Sequence, residues 1–311
     1  MNGRYDATDE LKNFLRIVSG IAPTKESVPH MSNIDIYGES VPLRGEAGGD
    51  HIAYLDFKRD CDLAARSKEA RTHGRNDVAD TLENNYERAG ILLADVSGHN
   101  MTDAAVAVAL HSVFLAGVEY ELDRHGEVTT DLFEKINEVL YRVLSGNKFL
   151  TMIYGEIAEN GRFRFLSAAH PPPVVYSNKY DRIVDIGADR LVTFPPIGTM
   201  PSEVHIDKRR RRRSALGYKE RYTANEINLM GSGDILLIHT DGLSDHKGPW
   251  SFDSSEAHVG GEIDFFPRHL EDGLRRAKDR SAKDIYNEIK DKVLAFGPLE
   301  DDVSYVVIKK K

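Results

Sequence analysis

The sequence predicts an α+β protein built from antiparallel sheets, and two observations carry that prediction. Apolar residues alternate with a period of two over residues 150–158 and 162–168, with Asn160-Gly161 between them, which is typical of a β-hairpin. A second hairpin is predicted for residues 174–177 and 182–186. Strands that follow one another in hairpins favour antiparallel sheets over the alternating strands and helices of a doubly wound fold.

Further strands are predicted where short apolar runs end in turns. These runs are residues 34–40, 50–55, 91–94, 235–239 and 303–308. Residues 58–88 are rich in charged and amide side chains and have no sustained apolar stripe, so we predict a solvated polar insertion, partly helical around Val78–Tyr86. A specific docking element is the alternative. No change in composition marks a domain boundary in the remainder of the chain. We expect a lead-in over residues 1–30 and one domain over residues 31–311.

Four segments have the periodicity of helices. Residues 9–21 form an amphipathic stripe that either packs on the chain's own core or receives a regulator or a second copy. A helix apolar nearly all round is predicted from Thr102 or Asp103 to about Gly117, with His111 as a hydrogen-bonded core residue. Two more are predicted from Thr130 or Asp131 to Gly146, and over residues 281–296.

Composition excludes several classes of protein. The chain has 311 residues, 41% of them hydrophobic, and a net charge of −9, which argues against general nucleic-acid binding. Its single cysteine, Cys61, excludes an internal disulfide, and no stretch reads as a secretory signal or as a run of about 18 apolar residues. We therefore expect a cytoplasmic protein without membrane insertion. The cationic run Lys208–Arg213 is either a solvated loop or a surface for an acidic partner.

Acidic residues stand at the ends of several predicted strands, next to glycine or a turn. They are Asp50, Asp95, Asp241 and the pair Asp301-Asp302. One such residue is usually a turn or cap residue. Several that converge would repel one another unless cations neutralised them, and ligands that are all oxygen atoms select Mg²⁺ or Mn²⁺. Two such ions can share a carboxylate and activate a water for attack on a phosphoryl group.

The ordered motifs resemble those of the metal-dependent protein serine/threonine phosphatases, the protein phosphatase 2C-like (PPM) superfamily, and most closely its bacterial SpoIIE/sigma-factor-regulator branch. The motifs are GGD at 48–50, DVSGH at 95–99, AAHPPP at 168–173, PPIG at 195–198, GDILLIHTDGLSD at 233–245 and DDVS at 301–304. They span nearly the whole chain in the family's order. The resemblance implies a four-layer α-β-β-α sandwich of two antiparallel sheets flanked by helices.

The resemblance also implies roles for individual residues. Asp95 would bridge two Mn²⁺ or Mg²⁺ ions, and the Val96 carbonyl would be a further ligand of one of them. Asp50 would bind one ion, and Asp241 and Asp301 would bind the other. Asp302 would lie behind these ligands or act as one. A second group would shape the substrate loop: Gly49, Gly98, His99 and His170. His170 would orient the substrate, protonate the leaving group or cap a turn.

The implied activity is hydrolysis of phosphoserine or phosphothreonine on a regulatory protein, such as an anti-sigma-factor antagonist of the STAS type, in bacterial signal transduction. Two departures from the family pattern are Asn100, where Gly is usual, and Ala169 in AAHPPP. Neither removes a predicted ligand. A pseudo-phosphatase that only binds a partner or metal remains open, and so does a nucleotide cyclase of the GGD type, although His51-Ile52 departs from that pattern.

Overall fold

The fold is a four-layer sandwich, seen in a computed structural model that describes residues 7–43, 48–98, 101–144, 148–202, 216–229, 231–249 and 262–311. The first sheet has the order β2-β3-β4-β5-β8. Its strands are β2 His51–Asp56, β3 Arg88–Val96, β4 Leu150–Ala158, β5 Arg162–Ala168 and β8 Asn225–Asn228. All neighbouring strands in it are antiparallel, as the hairpin pattern predicts.

The second sheet is also antiparallel and brings distant parts of the chain together. Its strands, in spatial order, are β1 Ile34–Val41, β12 Val303–Lys310, β9 Ile235–His239, β6 Val174–Ser177 and β7 Arg182–Val184. Strands β10 Lys247–Pro249 and β11 Glu262–Asp264 pair as a separate antiparallel ladder that the sequence analysis did not predict.

Helices cover the outer face of each sheet. In chain order they are α1 Ala7–Ser19, α2 Phe57–Asp60, α3 Leu63–Thr72, α4 Asn76–Asn84, α5 Met101–His125, α6 Thr130–Val143, α7 Asp241–Ser244, α8 Arg268–Ala277 and α9 Ala282–Phe296. Helices α2 to α6 share an apolar core with the first sheet, and α8 and α9 share one with the second. A third core, which includes Ile91, Ile153 and Val306, fills the space between the sheets. The α+β sandwich is therefore confirmed.

Residues 58–88 pack on the first sheet as helices, which corrects the expectation of a solvated polar insertion. They form α2, α3 and α4, and only the predicted helix near Val78 is confirmed. The apolar residues are few, but each helix places its own on one face. Five of them are buried in the core of the first sheet: Leu63, Ala70, Val78, Ala79 and Leu82. Two short helices that pack against each other need only such narrow stripes.

We expect Leu82→Ala to lower the free energy of unfolding by about 2–5 kcal/mol, because Leu82 is buried in this core and its truncation leaves a cavity. The exposed Lys68→Ala on α3 is the control and should change stability by less than about 0.5 kcal/mol. Urea unfolding of both variants measures the difference. Equal stability of the two would mean that the segment is not part of the core.

Two predicted helices have different bounds from those expected. Helix α5 runs from Met101 to His125, so Thr102 and Asp103 lie in its first turn and not before it, and the helix continues past Gly117. Gly117 is a site of close contact and not a stop, because a Cβ there would lie 2.2 Å from Leu132 Cδ1 of α6. Helix α6 begins at Thr130, as predicted, and the hydroxyl of the preceding Thr129 caps it by accepting a hydrogen bond from the Asp131 amide. It ends at Val143, and the predicted stop, Gly146, lies outside the described residues. His111 is half-buried and hydrogen-bonded to His51 at 3.0 Å, as predicted.

Helix α5 is long and apolar enough to cross a membrane by length and composition alone, which corrects the expectation that no segment would be. Its inner side packs on the first sheet through Leu110, Phe114, Val118 and Leu122. Its outer side also carries apolar residues, among them the exposed Met101 and Leu115, which raise the hydropathy of the helix. We interpret α5 as a core helix of the sandwich.

Candidate active site

Strand pairing brings the predicted acidic residues to one edge of the sandwich. Asp50 directly precedes β2, and Asp95 is near the end of β3; because His51 pairs with Ala94, the two acids lie side by side in the first sheet. Asp241 begins α7 directly after β9, and Asp301 and Asp302 directly precede β12. Strands β9 and β12 are neighbours in the second sheet, so the acids of both sheets meet at this edge.

The carboxyl groups are close enough to perturb one another strongly. Burial, together with the neighbouring carboxylates of Asp241 and Asp301, raises the pKa of Asp95 to about 7. Burial and the charge of Asp95 raise the pKa of Asp50 well above its ordinary value. Burial and the charge of Asp301 also raise the pKa of Asp241. Asp50, Asp95, Asp241 and Asp301 therefore form one acid cluster, and the charge of Asp302 adds to the raised pKa values of Asp50 and Asp95.

Asp50 is oriented by a threonine that the sequence analysis did not single out. The Thr240 hydroxyl, which is fully buried, donates a hydrogen bond of 2.9 Å to Asp50 Oδ2 and accepts one of 3.1 Å from the Ser304 amide. Thr240 lies between β9 and α7. It thereby connects the first-sheet acid to the second sheet, and its position before Asp241 in the TDG motif is the signal that could have identified it.

Asp302 holds the loop that leads to Asp50. Its side chain is 3% exposed, and its two oxygens accept hydrogen bonds of 2.7 Å from the Leu43 and Gly49 amides. Both oxygens already have main-chain partners, whereas Asp301 is only partly buried. This arrangement favours Asp301 as the ligand and Asp302 as the residue behind it.

Asp302→Ala should lower the free energy of unfolding by about 1–3 kcal/mol, because two main-chain amides would lose their charged acceptor. Asp302→Asn is the matched variant. It keeps one oxygen acceptor and the volume of the side chain, so it should be less destabilised. Chemical unfolding of both in chelator measures this order. If Asp302→Ala were as stable as the parent, Asp302 would not hold this loop.

The main chain is packed tightly between the two loops. A Cβ on Gly49 would lie 2.5 Å from the Gly98 carbonyl oxygen and 2.8 Å from that of Val96, which is why glycine is required there. Gly98 has φ +113°, a conformation that side chains disfavour. Val96 is buried and its carbonyl faces the Asp50 loop. These three residues thus bring main-chain oxygens next to the acids.

The two predicted histidines have different outcomes. His170 is 5% exposed and shares a hydrogen bond of 2.9 Å with the Thr151 hydroxyl, and burial lowers the pKa of its imidazole to about 3. A buried, neutral imidazole fits a residue that holds the loop after β5 better than a proton donor. His99 lies outside the described residues, as do Asn100 and the basic run at Lys208–Arg213.

The donor set suits a hard divalent ion. In the part of the chain that the structure describes, no group of three or more His, Cys, Asp or Glu side chains is arranged to enclose a metal ion. The set is open, but its donors are carboxylate and carbonyl oxygens, and their mutual repulsion is what a cation would relieve. Mg²⁺-type ions keep several waters and need few protein ligands, so the residues fit.

Comparison with known proteins identifies relatives along most of the chain. The family description "Stage II sporulation protein E (SpoIIE)" matches residues 85–311. The phosphoserine phosphatase RsbP of Bacillus subtilis is 27% identical over 209 residues, which are 63% of this chain and 43% of that protein. The phosphoserine phosphatase RsbU of Bacillus subtilis is 20% identical over 309 residues, covering 97% of this chain and 71% of that protein. The chain thus spans less than half the length of RsbP.

A solved structure shares the fold over nearly the full length. The SiaA-PP2C domain of Pseudomonas aeruginosa superimposes with a TM-score of 0.62 at 14% sequence identity, and the match covers 98% of this chain and 97% of that domain. Such a likeness at low identity supports the sandwich of two antiparallel sheets. A shared fold does not specify the reaction, which depends on the residues of the site.

Proposed function

The chain belongs to the SpoIIE family, whose model matches more than half of it, and from this premise we propose that it is a divalent-metal-dependent protein phosphatase acting on phosphoserine and phosphothreonine. The observation that carries the proposal is the convergence of Asp50, Asp95 and Asp241 in one partly buried acid cluster in which their pKa values are raised. Two similar proteins are described as phosphoserine phosphatases, which supports the same chemistry.

In this proposal Asp50, Asp95, Asp241 and Asp301 would hold two ions, Mn²⁺ or Mg²⁺, and the Val96 carbonyl oxygen would be a further donor. Bound ions of this kind lower the pKa of water and stabilise the charge on a transferring phosphoryl group. The chain itself contributes the positions of the acids. The Thr240 hydroxyl fixes the rotamer of Asp50, and Asp302 fixes the loop that carries Gly49 and Asp50.

The test of the reaction uses three phosphopeptides that share one sequence and carry phosphoserine, phosphothreonine or phosphotyrosine. We expect Mn²⁺- or Mg²⁺-dependent phosphate release from the first two, which a chelator stops and added ion restores. An aryl phosphate serves as a substrate without a peptide. Ion binding without release from any of these would make the chain a binding module instead of an enzyme. GTP conversion to a cyclic product would favour a nucleotide cyclase.

The partner we propose is a small phosphorylated regulatory protein, such as a STAS-type antagonist of an anti-sigma factor. The proteins RsbU and RsbP support this class only by similarity. Phosphoprotein enrichment from cells with and without this chain identifies the substrate directly. A set of serine-phosphorylated proteins that does not change between the two would contradict a protein substrate.

Helix α1 is the surface that we propose for a regulator or a second copy. It contacts α5 and buries Val18, but Leu11 and Ile17 remain exposed, at 39% and 59%. Part of the predicted stripe therefore packs on the chain itself. Removal of residues 1–28 should change the oligomeric state, the stability or the response to a regulator. Sedimentation and unfolding measurements that are unchanged by this removal would exclude the proposal.

A further inference from the structure

Lys148 and Asp103 form an ion pair beside the acid cluster that none of the recognised motifs includes. Lys148 Nζ lies 2.5 Å from Asp103 Oδ1, and the Asp103 side chain is fully buried while that of Lys148 is 30% exposed. Lys148 precedes β4, and Asp103 lies in the first turn of α5. The pair therefore connects the start of β4 to the first turn of α5, next to the turn that follows Asp95.

The same ammonium group binds the main chain of that turn. Lys148 Nζ donates a hydrogen bond of 3.0 Å to the Ser97 carbonyl oxygen. Next to it, the Ser97 amide donates to the Phe149 carbonyl at 3.0 Å, and the Phe149 amide donates to Ser97 Oγ at 3.2 Å. Ser97 is thus held at its amide, carbonyl and hydroxyl by two consecutive residues, 148 and 149.

Gly98 packs directly on the ion pair. A Cβ at Gly98 would lie 2.8 Å from Asp103 Oδ2 and 3.1 Å from Lys148 Nζ, so the main chain of the turn fills the space over the two charges. On its other side the Gly98 carbonyl oxygen approaches Gly49, next to Asp50. The Ser97–Gly98 turn therefore contacts the ion pair on one side and the Asp50 loop on the other.

From these contacts we propose that Lys148, paired with Asp103, is a positioning residue for the phosphatase reaction. It fixes the Ser97–Gly98 turn and so keeps the Val96 and Gly98 carbonyl oxygens against the Asp50 loop and Asp95 in register with it. It also neutralises Asp103, which would otherwise add a buried negative charge beside the acid cluster. The inference rests on the proposed function, since it concerns the geometry of the same site.

The test compares Lys148→Met, Lys148→Arg, Asp103→Asn and the double variant Lys148→Met/Asp103→Asn. Lys135→Met is the matched control, because Lys135 also pairs with a buried acid, Glu121, at 3.5 Å, away from the site. We expect Lys148→Met to lower kcat about 10- to 100-fold with KM changed less than about threefold, as for displaced catalytic groups. Lys148→Arg, which keeps the charge and the donors, should retain most of the turnover.

The double variant separates positioning from stability. It removes the uncompensated buried charge, so its unfolding midpoint should recover towards that of the parent while its kcat stays low. A purely structural ion pair predicts that stability and kcat recover together. Amide hydrogen exchange at Ser97 and Gly98, measured in chelator, should be faster in Lys148→Met and unchanged in Lys135→Met.

Two results would overturn the inference. One is parental kcat and parental exchange at Ser97 in Lys148→Met, and the other is recovery of kcat in the double variant. If the parent protein itself releases no phosphate, the proposed function fails. The exchange at Ser97 and Gly98 then still decides whether the ion pair holds the turn, so the two failures are distinguishable.

Discussion

Asp95→Asn is expected to lower phosphate release by about a thousandfold or more while it stabilises the ion-free protein. The loss follows because the several kcal/mol contributed by a positioned divalent ion correspond to tenfold in rate for about each 1.4 kcal/mol. The gain in stability follows because Asp95 is the acid on which Asp241, Asp301 and Asp302 all act. An amide of the same shape removes these repulsions.

The control for this substitution is Asp264→Asn, which likewise replaces a carboxylate by an amide, but at an exposed position on β11. It should leave both turnover and stability unchanged. Initial rates on a phosphoserine peptide with saturating Mn²⁺, and thermal unfolding in chelator, give the two readouts. An Asp95→Asn protein with parental turnover would remove Asp95 from the site. One with lower stability would mean that the cluster is not repulsive.

The second large effect is the dependence of stability on pH in the absence of ions. An unfolded Asp titrates near pH 3.9, whereas the folded Asp95 has a pKa of about 7. Between these values the folded state binds more protons, so the contribution of Asp95 is complete below about pH 4 and is lost as the pH rises through 7. Metal-free parent protein should therefore lose about 1–2 kcal/mol more than Asp95→Asn between pH 5.5 and pH 8.

Comparison with the variant is necessary because other buried groups act in the opposite direction. Burial lowers the pKa of His51 and of His170 to about 3, so these residues make the folded protein more stable as the pH rises towards neutrality. They are present in both proteins and cancel in the difference. Added Mn²⁺ at pH 8 should raise the unfolding temperature of the parent and raise that of Asp95→Asn much less. Parallel pH profiles without ions would contradict the shifted pKa.

Those parts of the fold and of the site that depend on residues close together in the chain could be predicted from the sequence. The hairpins β4–β5 and β6–β7 and the strand-end position of Asp95 follow from alternation and turns within a few residues. The order of the motifs predicted that Asp50 and Asp95 lie close together. The register of β2 and β3 then shows that they lie side by side.

The remaining parts depend on contacts between distant segments. Lys148 and Asp103 come from different elements and from no motif, and their pairing follows only from how α5 and β4 pack. Helix α3 was missed because its apolar residues are too few to stand out in a polar composition, whereas α4 was expected near Val78. Spacing in the sequence could not decide which of Asp301 and Asp302 is the ligand. The structure distinguishes them, because the Leu43 and Gly49 amides donate hydrogen bonds to Asp302.

We propose that this acid cluster holds divalent ions and thereby hydrolyses phosphoserine. The most direct measurement is phosphate release from a phosphoserine peptide while free Mn²⁺ is raised from a chelated zero, with calorimetry of ion binding on the same preparation. We predict saturable release that follows ion binding in the parent and in Asp264→Asn, and neither signal at these concentrations in Asp95→Asn. Release that persists in chelator, or binding and release that survive Asp95→Asn, would contradict the claim.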